Sequence, residues 1–528
     1  MTASKVLVSD KLSESGLQVL KAAPGIVVDY KPGLSEDELA AAIGEYDALV
    51  IRSGSKVTAK VIAKADNLRV IGRAGIGVDN VDVPAASRRG IIVMNTPTGN
   101  AVTTAEHAIS LLMSLARKVP QATASMRAGK WEKNKFEGKE IAGKTLGIVG
   151  MGNIGRIVAD RAHGLKLNVI AFDPVLTHDK ASSLGIELVP IEQIFTRSDF
   201  VTIHAPLTPE TKNLFNKDSF AKMKKGALLV NAARGGIVNE QDLEVALKEG
   251  KIAGAALDVF EKEPVNPEHP LLKLDNVICT PHLGASTGEA QDRVALEIAE
   301  QVADYLTTGA IRNAVNVPSL PGDAAEKIRP YLDLAQKLGK LLGQLGSIDV
   351  RELRVICTGE AGEYGVRPVA NAALSGYLER FLEEPVNAVS APYEAKERGI
   401  SVIEVREQAT RRYSSTVRVT VSGEHGLHTA TGTLGTSGGA VLVGLDGYEL
   451  DATLEGNVLV LHNEDRPGVI GSVGTILGKR EINVSRMQVG LHEGQAFALW
   501  NVDAPVPEEV LKELRGLSNV RSVLLVKL

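Results

Sequence analysis

The segment Gly150-Met-Gly152-Asn-Ile-Gly155 lies between the apolar run 145–149 and a stretch with helical spacing over 153–163, which confines this part of the chain to strand, tight turn and helix. Gly150 permits the turn, Gly152 lets backbone N–H groups approach a pyrophosphate, and Gly155 lets the helix pack close to the strand. The next apolar run, 168–172, ends in Asp173, about twenty residues on, where a carboxylate can accept hydrogen bonds from an adenosine ribose and favours NAD over NADP. A lone Gly-x-Gly-x-x-Gly is often only a turn. Strand, turn, helix, second strand and terminal acid in order predict a dinucleotide-binding unit.

The chain of 528 residues is too long for one core, and ordinary domain sizes predict about three or four units. A formal charge of −5 and the lack of any Lys/Arg block argue against a nucleic-acid partner. The start runs straight into a strand pattern, and no segment approaches the roughly eighteen consecutive apolar residues of a membrane span, so a soluble, unexported protein is expected. Cys279 and Cys357 are the only cysteines, too few for a disulfide framework or a thiolate metal site. No metal is expected, and the cytoplasm is the expected compartment.

The fold class predicted is α/β with two doubly wound parallel-sheet (Rossmann-like) domains, an α+β intervening domain and a C-terminal ferredoxin-like βαββαβ domain. Apolar runs at 6–8, 48–51, 68–71 and 91–93 alternate with helical patterns such as 35–46, and strand patterns resume from 145 to 279. A long apolar helix is predicted over 103–118, in which His107 reads as core, and another over 286–306. Because one precedes the nucleotide unit and one follows it, the chain is expected to return and complete the first unit. The predicted domains are therefore 1–98 with 285–318, which would bind substrate across an interdomain cleft, 99–284 for NAD, 319–454, and 455–528. In the third, Arg411-Arg412 and Lys396 with Arg398 read as solvated charge. In the last, Pro467 suits a first helical turn with Asp465 near its cap, and Asn463, Asp465 and Asn483 are expected to gather at one edge, where they could hold a small zwitterion.

Three residues in separate strand-end loops carry the chemistry. Arg234 in Asn231-Ala-Ala-Arg234-Gly-Gly236 offers a fork that matches a carboxylate bidentately. His282 in Thr280-Pro-His282-Leu-Gly284-Ala285 is an imidazole able to take a hydroxyl proton while a hydride leaves carbon. Glu263 in Asp258-Val-Phe-Glu-Lys-Glu263-Pro can bond the second imidazole nitrogen, raising its basicity and fixing its tautomer. With the Gly150–Gly155 turn, these motifs resemble the D-isomer-specific 2-hydroxyacid dehydrogenases over residues 1–316. The resemblance implies that Arg234 binds the substrate carboxylate and that His282, supported by Glu263, is the proton donor or acceptor. It also implies that Asn153, Ile154, Ala205, Ala232, Ala233, Arg234, Asp258, His282, Gly284 and Ala285 lie against the cofactor, Asp258 at the nicotinamide carboxamide.

The four-part layout resembles the long-form members of that family, which oxidise 3-phospho-D-glycerate to 3-phosphohydroxypyruvate in serine synthesis and end in an amino-acid-sensing ACT domain. That implies substrate contacts from Arg52, Ser53, Gly54, Lys56, Arg73, Gly75 and Asn100, the last opening the 103–118 helix whose N-terminus can help hold an anion. It further implies Lys133 and Lys135 as phosphate ligands from a neighbouring subunit, L-serine as effector at Asn463, Asp465 and Asn483, and a homo-oligomer, dimer or tetramer. An unphosphorylated D-2-hydroxy acid as substrate, an NAD-responsive binding role, and a terminal domain used only for assembly are the competing expectations.

Overall fold

The computed structural model describes residues 3–320, 322–345, 350–382, 386–408, 412–424, 426–436, 438–492 and 494–528. The first sheet is parallel, with strands β1 (Ser4–Val8), β2 (Ile26–Tyr30), β3 (Ala48–Ile51), β4 (Val70–Arg73) and β5 (Ile92–Met94) in the order β2-β1-β3-β4-β5. All four residues of β3 are buried, as a strand covered by helices on both faces must be. The order reverses between β1 and β3. Open α/β sheets hold ligands at such a reversal, beyond the carboxyl ends of the strands.

The second sheet is also parallel: β6 (Thr145–Val149), β7 (Asn168–Phe172), β8 (Glu187–Leu188), β9 (Phe200–Ile203), β10 (Ala227–Asn231), β11 (Ile252–Leu257) and β12 (Val277–Cys279), ordered β12-β11-β10-β9-β6-β7-β8. This is the dinucleotide arrangement, with its reversal between β6 and β9. The helix Ala101–Arg117 packs on β10, β11 and the helix Asn153–Gly164. The helix Gly288–Thr308 leaves the second domain and places Val294, Ala295, Ile298, Ala299 and Val302 in one core with Val6, Val8 and Leu17. At ~1.5–3 kcal/mol for a fully buried aliphatic side chain, that face decides where the helix docks. The Thr287 hydroxyl caps it by accepting from Ala290 N at 3.2 Å, and Gly309, at φ +79°, ends it.

The third sheet, β14-β13-β15-β16-β17-β18, comprises β13 (Val350–Thr358), β14 (Ser401–Glu407), β15 (Thr416–Gly423), β16 (Gly426–Leu434), β17 (Ala440–Leu445) and β18 (Tyr448–Thr453). Only β13 and β14 pair in parallel. The helices Gly322–Leu345 and Arg367–Leu378 pack on each other. Every residue from Pro368 to Leu378 is buried, so this helix lacks the one-sided apolar stripe by which a sequence announces a helix. The Arg411 half of the basic pair falls outside the described residues.

The fourth sheet is antiparallel, β20-β21-β19-β22, from β19 (Asn457–Glu464), β20 (Val484–His492), β21 (Gln495–Val502) and β22 (Val520–Lys527), with the helices Val469–Lys479 and Glu508–Arg515. Two local expectations fail here. The first helix starts after Gly468, whose φ of +96° breaks the helical path, so Pro467 stands outside the first turn. The register pairs Glu464 and His492 with Gln495, but Asn457 and Val484 with Val502. Asn463 and Asp465 therefore sit at one end of the sheet and Asn483 at the other, about seven residues or ~20 Å away. Within one chain the three do not gather. Among the described residues no helix is long and apolar enough to cross a membrane.

Candidate active site

The carboxyl ends of both parallel sheets open onto one cleft of about 1140 Å³. On the dinucleotide side, Gly150 has φ +95°, and a Cβ there would lie 2.6 Å from His204 O, so only glycine fits between β6 and the end of β9. A Cβ on Gly152 would meet nothing within 4 Å. That open approach at the start of the helix Asn153–Gly164 is what a pyrophosphate requires. Gly155 lies so close to Gly150 O that no side chain fits. Asp173 accepts from Met151 N at 2.7 Å, Val175 N at 2.8 Å and Leu176 N at 2.9 Å. Burial opposes its ionisation, but these bonds hold its carboxyl below the usual range, and a carboxylate keeps lone pairs for a further donor. Gly152, Asn153, Ile154, Ala205, Ala232, Ala233, Gly284 and Ala285 line the cleft, whereas Gly150, Gly155 and Asp173 are not among its lining residues.

Beyond β12, His282 takes φ +54°, a left-handed conformation uncommon outside glycine and worth explaining where it occurs. Asp258 enforces it. Its carbonyl accepts from His282 N at 2.9 Å, and its carboxylate accepts from Thr280 Oγ1 at 2.6 Å, Leu283 N at 2.7 Å and Gly284 N at 2.9 Å. Burial disfavours that charge, yet the bonds from His107 and Thr280 keep the carboxyl below its usual range. Asp258 is 1% exposed, so its first task is to fasten the loop, with Oδ2 holding the remaining acceptor capacity. His282 Nδ1 lies 2.7 Å from Glu263 Oε2. Glu263 Oε1 accepts from Phe260 N at 3.0 Å, which fixes the carboxylate. The bond to Glu263 raises the imidazole's pKa against the effect of burial. For Glu263, burial works against ionisation, and the bonds from His282 and Phe260 N outweigh it. With Nδ1–H given to Glu263, Nε2 is the free nitrogen.

Across the cleft stand Arg52, Ser53, Arg73, Gly75 and Asn100. Arg73 is largely buried, its Nε has no hydrogen-bond partner among the described residues, and burial first, then the charges of Arg234 and Arg52, pulls its pKa down to about 10. The guanidinium lies over Gly75, at φ +144°, where a Cβ would strike it. Asn100 is 7% exposed and its Oδ1 also lacks a hydrogen-bond partner among the described residues. Gly54 sits over the Asp10 carboxylate, which accepts from Arg52 N at 2.6 Å and Ser55 N at 3.0 Å and so shapes the loop after β3. Lys56 is exposed and does not line the cleft, nor do Lys133 and Lys135, the latter paired with Glu132 at 2.6 Å.

Three further residues support the site from outside its motifs. Asp10 underlies the 52–55 loop. His107 is not plain core: its Nε2 is 3.1 Å from Asp258 Oδ1. Asp79 accepts from Arg234 Nε at 2.8 Å. The one sequence signal for Asp79 is its place after Gly75-Ile-Gly77-Val, in the loop that follows β4.

Two dinucleotide-type sheets around a His–Glu pair and a strand-end arginine define a D-2-hydroxyacid dehydrogenase, and residues 109–284 match the model of the D-isomer specific 2-hydroxyacid dehydrogenase, NAD binding domain. Residues 327–446 match the D-3-phosphoglycerate dehydrogenase intervening domain and 457–519 the ACT domain. The chain is 44% identical to a D-3-phosphoglycerate dehydrogenase of Synechocystis sp. over 100% of this chain and 95% of that one. It is 42% identical to one of Archaeoglobus fulgidus, over 99% and 100%. The solved TT0316 protein of Thermus thermophilus is 35% identical, with a TM-score of 0.55, over 59% of this chain and 99% of its own. The chain belongs to the D-3-phosphoglycerate dehydrogenase family.

Proposed function

We propose that this protein oxidises 3-phospho-D-glycerate to 3-phosphohydroxypyruvate with NAD, the first step of L-serine synthesis. One observation carries the reading: the His282–Glu263 pair shares its cleft with three guanidinium groups, one of them largely buried with an unpartnered Nε. A doubly anionic phosphate and a carboxylate on one small substrate need that many cations, and an unphosphorylated acid does not. Arg234 binds the carboxylate, and Arg73, Arg52 and the N–H groups of Ser53 and Gly54, which the Asp10 bonds to Arg52 N and Ser55 N leave free, bind the phosphate. His282 Nε2 accepts the C2 hydroxyl proton while Glu263 holds the imidazolium that results. Bound NAD supplies the hydride acceptor.

The decisive experiment is a steady-state panel of 3-phosphoglycerate and D-glycerate with NAD and NADP. A kcat/KM roughly 30- to 150-fold higher for the phosphorylated acid with NAD is expected, given about 2–3 kcal/mol from charge-assisted bonds to the phosphate. Equal values for the two acids would reject the phosphate assignment. L-Serine is the proposed effector of the terminal domain. Because one chain separates Asn483 from Asn463 and Asp465, such a site would draw on two copies of the domain. This fits a homo-oligomer, dimer or tetramer, formed through the exposed edge strand β20. Inhibition on titrating L-serine into the same assay is the expected result. Two free cysteines are in keeping with a cytoplasmic location.

The Glu263 bond also sets a pH dependence. It raises the His282 pKa, and oxidation needs the neutral imidazole, so kcat/KM should climb with pH through a value above the ordinary histidine figure of about 6.5. Glu263→Gln removes the charge that favours the imidazolium. Its acid limb should move to lower pH, and its plateau kcat should fall roughly 10- to 100-fold, the worth of one charged hydrogen bond. An unmoved limb in the variant would show that Glu263 does not tune the imidazole.

A further inference from the structure

We infer that Asp79 is a positioning residue for the reaction: its carboxylate, carried by the first domain, sets the orientation of Arg234 on the opposite side of the cleft. This rests on the activity proposed above. Arg234 follows β10 and Asp79 follows β4, so the pair spans the two domains. Arg234 Nε donates to Asp79 Oδ2 at 2.8 Å, and Nη1 donates to Ala233 O at 2.7 Å. Those two bonds occupy the Nε edge and one N–H of Nη1. What remains is the end of the fork, Nη2 and the second N–H of Nη1, which is an edge that matches a carboxylate bidentately. A third constraint comes from Gly77. A Cβ there would run into Arg234 Nη2 and lie 2.7 Å from Asp79 Oδ2, so the guanidinium rests against bare backbone. Three fixed points leave a planar group one orientation.

Nothing about Asp79 suggests that folding needs it. Its side chain is 67% exposed, it accepts a hydrogen bond from Arg234, and an exposed ion pair adds little to stability. The rival role is charge balance, since Asp79 offsets a cluster formed by Arg52, Arg73 and Arg234. The two roles differ in sign. A counter-ion that merely weakens the positive field would, once removed, let an anionic substrate bind more tightly, and KM would fall. A residue that aims Arg234 would, once removed, leave the fork misdirected, so KM would rise and kcat would fall together.

Initial rates of Asp79→Ala, Asp79→Asn and Asp79→Glu against substrate concentration separate them, with NADH titration and thermal midpoint as controls. For Asp79→Ala, kcat/KM should drop about 10- to 100-fold through both parameters, as loss of a charge-assisted bond implies. Asp79→Asn should lie between, because its amide oxygen still accepts from Nε, and Asp79→Glu should recover part of the loss. NADH affinity should stay within about twofold, and Asp79→Ala should cost little once Arg234 is Lys, since paired residues are non-additive. A lower KM, a kcat/KM within twofold of wild type, or a parallel loss of NADH binding overturns the inference. Wild-type turnover of 3-phosphoglycerate decides the proposed function by itself. The Asp79 ratios are read on whichever 2-hydroxy acid the wild type oxidises, and a wild type that oxidises none removes both.

Discussion

Replacing His282 with asparagine should lower kcat for 3-phosphoglycerate oxidation by about 10²- to 10⁴-fold, the usual span of a positioned general base. Asparagine is the informative choice because it tolerates the left-handed φ of +54° at this position better than alanine does. The loop held by Asp258 should therefore keep its shape, and the loss can be assigned to the missing imidazole. The side chain is 50% exposed and belongs to no hydrophobic core, so the thermal midpoint should move by no more than about 2 °C, a surface-scale change. NADH affinity should stay within about threefold, since the turn at Gly150–Gly155 is built without His282. Rates at several pH values complete the test: the wild-type acid limb, set by the Glu263-bound imidazole, should vanish. Retention of more than a tenth of wild-type kcat would mean that another group moves the proton.

The residues that the sequence disclosed share a physical reason for being legible. Central strands of parallel sheets are buried on both faces and read as unbroken apolar runs, as in 145–149 and 227–230. Ligand chemistry collects in the loops just after them. Arg234, Glu263 and His282 could therefore be located from chain position alone. The pairings that complete the site could not. Asp79 and Arg234 are 155 positions apart, and His107 meets Asp258 from a helix in which its spacing marks it only as inward-facing. Helix Arg367–Leu378 was silent because burial on every side erases periodicity. The scattered positions of Asn463 and Asn483 follow from antiparallel register, which element order does not state. Lys56 lies beside the loop after β3, yet it is exposed and does not line the cleft as Arg52 and Ser53 do, a difference in side-chain direction that position in the chain does not state.

Substitution of Arg73 by alanine should reveal which acid the cleft was built for. The guanidinium is largely buried, its Nε is unpaired, and burial together with two neighbouring arginines draws its pKa down to about 10. A group so placed is costly to the free protein, because a buried cation without a full set of partners is penalised. An incoming phosphate supplies the opposite charge and acceptors for the part of the guanidinium that lines the cleft, so the interaction with it should exceed that of a solvent-facing lysine. Truncating one partner of a buried charge pair typically costs about 2–5 kcal/mol, or roughly 30- to 4,000-fold in kcat/KM, and that loss should fall on 3-phosphoglycerate. D-Glycerate has nothing for Arg73 to hold, so its kcat/KM should change by less than about threefold, within the few tenths of a kcal/mol expected of an uninvolved site. Folding is separated from binding by Arg73→Met, which restores much of the volume without the charge, and by Arg73→Lys, which keeps the charge without the fork. The lysine variant should recover part of the 3-phosphoglycerate activity and the methionine variant none. If both acids lose activity in parallel while Arg73→Met restores both, Arg73 is a packing residue of the first domain and the phosphate must be held elsewhere.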